Sequence, residues 1–311
     1  MTKILITGGA GFIGTHLVNT YLVAGFQVAV LDKKEKKEVK LDLANIDYFQ
    51  VDLTEEKAVE KIFAQFKPQI VSHHAALINV ATSMQQTLDY ENNNVLVTFK
   101  LLELCKKYQI KQFIFPSSVA VYGSKLKNGK TYSYPISEEI EGNPESFYGL
   151  QKYVCEKIIS LYQNNFTTTI FRYANVFGPF QDSGAEGGVV AIFSENLAKN
   201  KNSIIYGDGK QTRDFIYVKD VVQANLLATQ KNLAGIFNVS SQKEVSVNDL
   251  YFLLVKLNSH NMNPQYLSKR PGDIERSLLD NKKIKLNLGW QPLYSLKKGL
   301  KETLAYFQNL K

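Results

Sequence analysis

Gly8, Gly11 and Gly14 follow one another at intervals of three, directly after the apolar run at residues 2–7. Beyond them Phe12, Ile13, Leu17, Val18, Tyr21 and Leu22 recur with the period of one helix face, and Gly25 ends the pattern. A buried strand, a glycine turn and a helix are therefore predicted in immediate succession. The glycine string alone is weak, since three at fixed offsets arise by chance in about one chain in fifteen of this composition. Its context is strong. Side chains are missing where a diphosphate would approach the backbone, and the helix N-terminus supplies N–H donors for it. A tight turn packed for its own sake is the competing explanation.

Further strands are predicted at 27–31, Tyr48–Val51, 69–73, 112–116 and 167–173. Between them lie helices ending near Phe66, spanning 84–108, and running from Pro144–Ser146 to about Gln163. Strand and helix alternate, which argues for an α/β, doubly wound parallel sheet of Rossmann type. After a glycine-rich stretch at 178–188 the pattern mixes short strands (203–206, 236–239) with helices near 189–200, 218–230, 246–258 and 295–309. The expected organisation is a nucleotide-binding domain at 1–174, to which later segments return. A smaller, interleaved C-terminal α/β substrate lobe then occupies mainly 175–311.

Composition removes other classes. With 311 residues, 44% hydrophobic and 12% aromatic, the chain can build a core and is not a disordered coil. No apolar run is long enough to span a bilayer, and the first residues do not resemble a secretion signal, so a cytoplasmic protein is expected. Cys105 and Cys155 form no framework and no metal spacing, and His16, His73, His74 and His260 show none either. The net charge of +8 is spread along the chain without a basic stripe, so no nucleic-acid partner is expected. Only four of the 37 basic residues are arginine (Arg172, Arg213, Arg270, Arg276), so each marks a place where a planar fork is wanted.

Asp32 closes the second strand, 18 residues beyond Gly14. A carboxylate there accepts ribose hydroxyls and repels a 2′-phosphate, which favours NAD, although Lys33 and Lys34 would suit NADP. Asp52, after the third strand, is a candidate for the adenine amino group or an ordinary helix cap. Tyr148 and Lys152 lie one helical turn apart, on one face. That spacing occurs four times here and selects nothing. Position selects instead: Tyr148 follows Pro144-Glu-Ser-Phe at a helix start, where the helix dipole and a lysine favour a phenolate.

At these residues the chain resembles extended short-chain dehydrogenases/reductases, and within them the UDP-glucose 4-epimerase group of NAD-dependent sugar-nucleotide epimerases. The resemblance rests on Thr7-Gly-Gly-Ala-Gly-Phe-Ile-Gly14, His74-Ala-Ala76, Ser117-Ser-Val-Ala-Val-Tyr-Gly123, Tyr148-x-x-x-Lys152, Arg172-Tyr-Ala-Asn-Val-Phe-Gly-Pro179, Tyr206-Gly-Asp-Gly-Lys-Gln-Thr-Arg-Asp-Phe-Ile-Tyr217 and Arg270-Pro-Gly-Asp273. It implies a catalytic triad of Ser118, Tyr148 and Lys152. It implies NAD held by Gly8, Gly11, Phe12, Ile13, Gly14, Asp32, Asp52, Leu53, Ala75, Ala76, Tyr148, Lys152 and Tyr173. It implies a UDP-hexose held by Ser118, Tyr148, Asn175, Tyr206, Arg213, Arg270, Asp273 and Ser277, with no metal.

Related dehydratases and decarboxylases carry an acid between the positions of Ser118 and Tyr122. Val119 and Ala120 cannot move a proton, which places those activities behind epimerisation. A net sugar-nucleotide reductase and a binding-only protein are the further alternatives. The small Ser277 stands where a bulky residue would restrict the sugar, so a 2-acetamido group is expected to fit as well as plain glucose. The helices at 84–108 and 146–163 resemble those that pair in the family's homodimer.

Overall fold

The computed structural model describes residues 1–184, 187–259, 262–269 and 274–310. The chain begins with β1 (Lys3–Thr7), α1 (Phe12–Val23), β2 (Gln27–Asp32), β3 (Ile46–Gln50), α2 (Glu56–Phe66) and β4 (Ile70–His73). Two short helices follow, α3 (Val80–Ser83) and α4 (Thr87–Tyr90); a π-helical stretch, Glu91–Leu96, then leads into α5 (Val97–Lys107). The expected single helix at 84–108 is thus broken. β5 (Gln112–Ser118), α6 (Phe147–Ser160), β6 (Thr167–Tyr173) and β7 (Asn175–Phe177) complete the first half. The second half holds α7 (Val189–Ala198), β8 (Ile204–Tyr206), β9 (Thr212–Tyr217), α8 (Val218–Gln230), β10 (Gly235–Val239), β11 (Glu244–Ser246), α9 (Val247–Asn258), β12 (Gln265–Leu267), α10 (Lys282–Leu288) and α11 (Leu296–Gln308).

Seven strands form one parallel sheet in the order β10-β6-β5-β4-β1-β2-β3. Apart from the edge strand β3, its strands are largely apolar and buried, as they must be when helices cover both faces. The sequence order reverses between β1 and β4, and an open α/β sheet binds its ligands at such a crevice. β7, β9 and β11 make a separate three-stranded sheet, and β8 pairs with β12. β7, β9, β11, β12 and α10 were not foreseen from the sequence; β7, β11 and β12 have three residues each, too few to show a period. β10 returns from the second half to flank β6, so the two halves are interleaved.

One buried polar network sets the catalytic helix on the sheet. Arg172 of β6 makes a two-pronged ion pair with Glu156 of α6, with Nη2–Oε2 at 2.6 Å and Nε–Oε1 at 2.9 Å. Ser117 of β5 donates its hydroxyl to the same carboxylate. Arg172 Nη1 donates to the Tyr122 hydroxyl at 2.8 Å, and that hydroxyl donates to Asn238 of β10 at 3.1 Å. Every hydrogen bond that Arg172 makes through its side chain is thus to this network, where its planar fork is fully used. Arg172→Met, which leaves Glu156 buried and alone, is expected to cost about 3–5 kcal/mol in urea unfolding. The double variant Arg172→Met/Glu156→Leu is expected to recover most of that loss; a penalty equal to the sum of both single changes would contradict it.

Candidate active site

Beyond the C-terminal ends of the central strands lie two hollows that share Gly8, Gly11, His74 and Ala76. The larger, about 410 Å³, is also lined by Phe12, Ile13, Gly14, Ser118, Tyr148, Lys152, Tyr173 and Asn175. The smaller, about 230 Å³, is also lined by Asp32, Asp52, Leu53 and Ala75. Between them runs the glycine turn. Gly11 stands in extended backbone at the α1 N-cap with no side chain capping the helix, so the first N–H groups remain for a ligand. A Cβ on Gly14 would sit 2.1 Å from the Gly8 carbonyl oxygen, so the turn closes only on glycine there. An uncapped helix N-terminus between two hollows fits a dinucleotide: diphosphate at the turn, one nucleoside to each side.

The smaller hollow carries the ribose carboxylate. Asp32 Oδ2 accepts from the Ala10 N–H at 3.0 Å, and Oδ1 from the Lys34 N–H at 3.1 Å. Lys34 Nζ donates to the Ala10 carbonyl at 3.1 Å. That ammonium is committed to the turn, which weakens the NADP alternative drawn from it. Asp52 Oδ1 accepts from both the backbone N–H and the hydroxyl of Thr54, and these bonds hold its carboxyl below the usual carboxylate range. The α2 N-cap is Glu55, so Asp52 shapes the turn before the helix rather than capping it.

The larger hollow carries the reactive side chains. Ser146 caps α6, accepting from the Gly149 N–H at 3.1 Å, while Ser83 Oγ accepts from the Tyr148 N–H at 3.1 Å. Tyr148 and Lys152 therefore leave the helix on one face, toward the end of β5. Ser118 Oγ accepts from the Ala120 N–H at 3.1 Å, and its hydroxyl is hydrogen-bonded to the Tyr148 side chain. Lys152 is buried, donates to the Pro116 carbonyl at 2.8 Å, and has Nζ 6.0 Å from the Tyr148 ring centre.

The electrostatics correct one expectation. Burial pushes the Tyr148 hydroxyl up to about 12, against the Ser118 bond that lowers it. In the ligand-free protein desolvation therefore favours the neutral phenol. Burial likewise lowers Lys152 to about 8, against Cys155 and Glu156, which raise it. His73 and His74 are lowered to about 3, first by burial and then by Lys152, and stay uncharged. Both knit the floor together: His73 meets Thr7 and Thr98, while His74 meets Ser72 and, at 3.4 Å, the Tyr173 hydroxyl.

On the far side, Asn175 lines the larger hollow and donates to the Asp214 carbonyl oxygen at 3.3 Å. Arg213 is partly buried and donates Nη1 to the Thr212 carbonyl at 2.8 Å. The neighbouring Asp214 carboxylate instead accepts from Ser241 and Gln242. Tyr206, Arg213 and Ser277 line neither hollow. Ser277 is buried, with its N–H on the Thr212 carbonyl. Arg270, Asp273 and His260 lie outside the described residues. Cys105 and Cys155 are buried, as packing residues are.

Several site residues escaped the sequence reading. A Cβ on Gly149 would sit 2.4 Å from the Ala120 carbonyl, so glycine beside Tyr148 lets α6 close on the Ser118 turn. Asn93 lines the smaller hollow, and Asn94 clamps Leu77 through both its N–H and its carbonyl, at 2.8 and 3.0 Å. The triplet Asn92-Asn93-Asn94 inside a helical pattern was the available signal, and π-helical turns gather at functional sites. Gln181, Val189 and Phe215 also line the larger hollow.

The Lys152 value sets a pH dependence. Between about 8 and the ordinary 10.5 the unfolded chain holds more protons than the folded one, so ligand-free stability rises with pH there. Lys152→Met lacks that rise. It is expected to exceed the parent in stability below pH ~8, with the gap closing toward pH ~10.5 in urea titrations. A gap independent of pH would contradict this.

Residues 4–240 match the NAD dependent epimerase/dehydratase family. A putative UDP-glucose 4-epimerase of Methanocaldococcus jannaschii is 38% identical, with 98% of each chain covered. A dTDP-D-glucose 4,6-dehydratase of Dictyostelium discoideum is 29% identical over 99% of this chain and 82% of its own. The crystal structure of a Thermotoga maritima UDP-glucose 4-epimerase with UDP-glucose superposes with a TM-score of 0.92, at 36% identity and 99% coverage of both chains. The glycine turn, the Asp32 carboxylate and the Tyr148–Lys152 helix thus have their explanation: this chain belongs to the NAD-dependent epimerase/dehydratase family.

Proposed function

We propose that this protein is an NAD-dependent epimerase that inverts C4 of a UDP-hexose through a transient 4-keto sugar. The observation that carries the reading is the convergence of Ser118, Tyr148 and Lys152 on the hollow that also borders the glycine turn. Bound NAD supplies a hydride acceptor that can return the hydride and, when oxidised, a positive charge. With its phenol ionised beside the positive charges of Lys152 and of the bound cofactor, Tyr148 takes the proton of the sugar 4-hydroxyl and later gives it back. Ser118, whose oxygen already accepts from Ala120, has its own proton to offer the same sugar oxygen or Tyr148. Lys152 holds positive charge beneath Tyr148 and presents donors to the cofactor ribose.

Residues 175–311 mainly form the lobe for the nucleotide end of the substrate. Asn175, Arg213 and Arg270 are assigned to the diphosphate, Tyr206 to the base, and Asp273 to its ribose. Ser277 and its small side chain are assigned to tolerance of a 2-acetamido group. The family relationship covers dehydratases as well. The absence of an acid at Val119 and Ala120 favours epimerisation, because eliminating water at C5 and C6 requires a proton donor and acceptor there.

Incubation with UDP-glucose and UDP-N-acetylglucosamine, followed by NMR, is expected to yield both C4 epimers. A 4-keto-6-deoxy product would make the protein a dehydratase, and no product from either sugar would overturn the reading. Tyr148→Phe is expected to lower turnover by about 10²–10⁴-fold while NAD remains bound.

We also propose a homodimer built on α5 and α6. Phe147, Leu150 and Val154 form an exposed apolar stripe on α6, beside exposed Leu96 and Phe99 on the neighbouring helix. Such a stripe on two packed helices suits a second copy of itself, related by a twofold axis. Light scattering is expected to show a dimer that Leu150→Glu converts to a monomer. A parent protein that is monomeric at micromolar concentration would contradict this.

A further inference from the structure

Four side chains from separate parts of the chain meet outside both hollows: His16 on α1, Lys40 between β2 and β3, Phe180 ahead of α7, and Tyr306 on α11. Lys40 Nζ donates to the Tyr306 hydroxyl at 2.8 Å and lies 5.9 and 5.5 Å from the ring centres of Phe180 and Tyr306. Phe180 stands edge-on to Tyr306 at 5.0 Å and to His16 at 5.3 Å. His16 Nε2 donates to the Pro179 carbonyl at 2.9 Å, and burial lowers the pKa of that ring. Phe180 holds a φ of +69°, a left-handed backbone that bulky residues seldom adopt. Local preference does not place it there, so the surrounding contacts must.

Three of the four participants are joined along the chain to a wall of the nucleotide site. Lys40 lies on the connection that follows Asp32 and begins with Lys33 and Lys34, and those three residues line the smaller hollow. Phe180 precedes Gln181, which lines the larger hollow. His16 sits on α1 one turn beyond Phe12, also a wall residue, with the two rings 6.1 Å apart. Tyr306 belongs to neither hollow and serves as the fixed post.

We propose that Lys40, Phe180, Tyr306 and His16 form a clasp that governs exchange of the dinucleotide, acting as positioning residues for both hollows. For a ligand spanning the two, Lys33 and Lys34 on one side and Gln181 on the other are wall residues, and outward movement of either wall widens its way out. The clasp ties the first to α11 and the second to α11 and α1. Its catalytic value rests on the epimerase reading, in which the same hydride must return to the same sugar and a departing cofactor would strand a ketone. The clasp itself does not depend on that reading.

The test is cofactor exchange without any sugar nucleotide. Protein loaded with NAD is mixed with an excess of fluorescent etheno-NAD, and the exchange rate is read together with the thermal midpoint. Lys40→Ala is expected to exchange about threefold to tenfold faster at an unchanged midpoint, as loss of one hydrogen bond and a cation–ring contact allows. Lys40→Arg, which keeps a cation over both rings, is expected to exchange close to the parent rate. Equal rates for Lys40→Ala and the parent would overturn the proposal. So would acceleration in both variants accompanied by a lower midpoint, because that signals general loosening. Because no sugar is present, failure here leaves the epimerase reading untouched, and failure of epimerisation leaves this result standing.

Discussion

The buried pair between Arg172 and Glu156 is the contact to which the rest of the site is referred. Two charges removed from water cost more than they return unless their remaining hydrogen-bonding capacity is met. Here Ser117, Tyr122 and Asn238 meet much of it, and they come from β5, the turn after it, and β10. Glu156 is one helical turn beyond Lys152, and Ser117 adjoins Ser118. Fixing the pair therefore fixes the height and rotation of α6 over the strand end where the hydroxyls meet.

Around that anchor burial disfavours the charged form of every reactive group, and Lys152 is the one that still carries charge at neutral pH. Burial raises the tyrosine, lowers the lysine, and holds two histidines uncharged beneath them. A site of this kind has little field of its own to ionise a phenol. Its contribution is geometric: a hydroxyl, a phenol and an amine held in order, with water excluded by the helix that carries two of them.

The strand–glycine–helix unit, the carboxylate after β2 and the Tyr148–Lys152 pair were legible because each rests on local backbone chemistry. So was the alternation behind the parallel sheet. The broken helix before β5 was not legible, since its apolar period continues across the π-helical stretch and nothing local announces the extra residue. Gly149 was passed over because its necessity arises from the Ala120 carbonyl, a partner 29 residues away. The neutrality of Tyr148 was missed for a similar reason: a sequence displays the neighbouring lysine and the helix start but not the depth at which the hydroxyl is buried.

The seventh strand of the central sheet, β10, comes from the second half of the chain. While the protein is being made, residues 1–173 can assemble six strands, but the outer side of β6 stays open until residue 239 has left the ribosome. The Tyr122 hydroxyl meanwhile waits for the side chain of Asn238. The cofactor half is thus not an autonomous module to which a lobe was appended. A nascent chain halted between these points exposes an unpaired parallel edge, the form most prone to pair with a stranger, and is the intermediate for which a chaperone has most use.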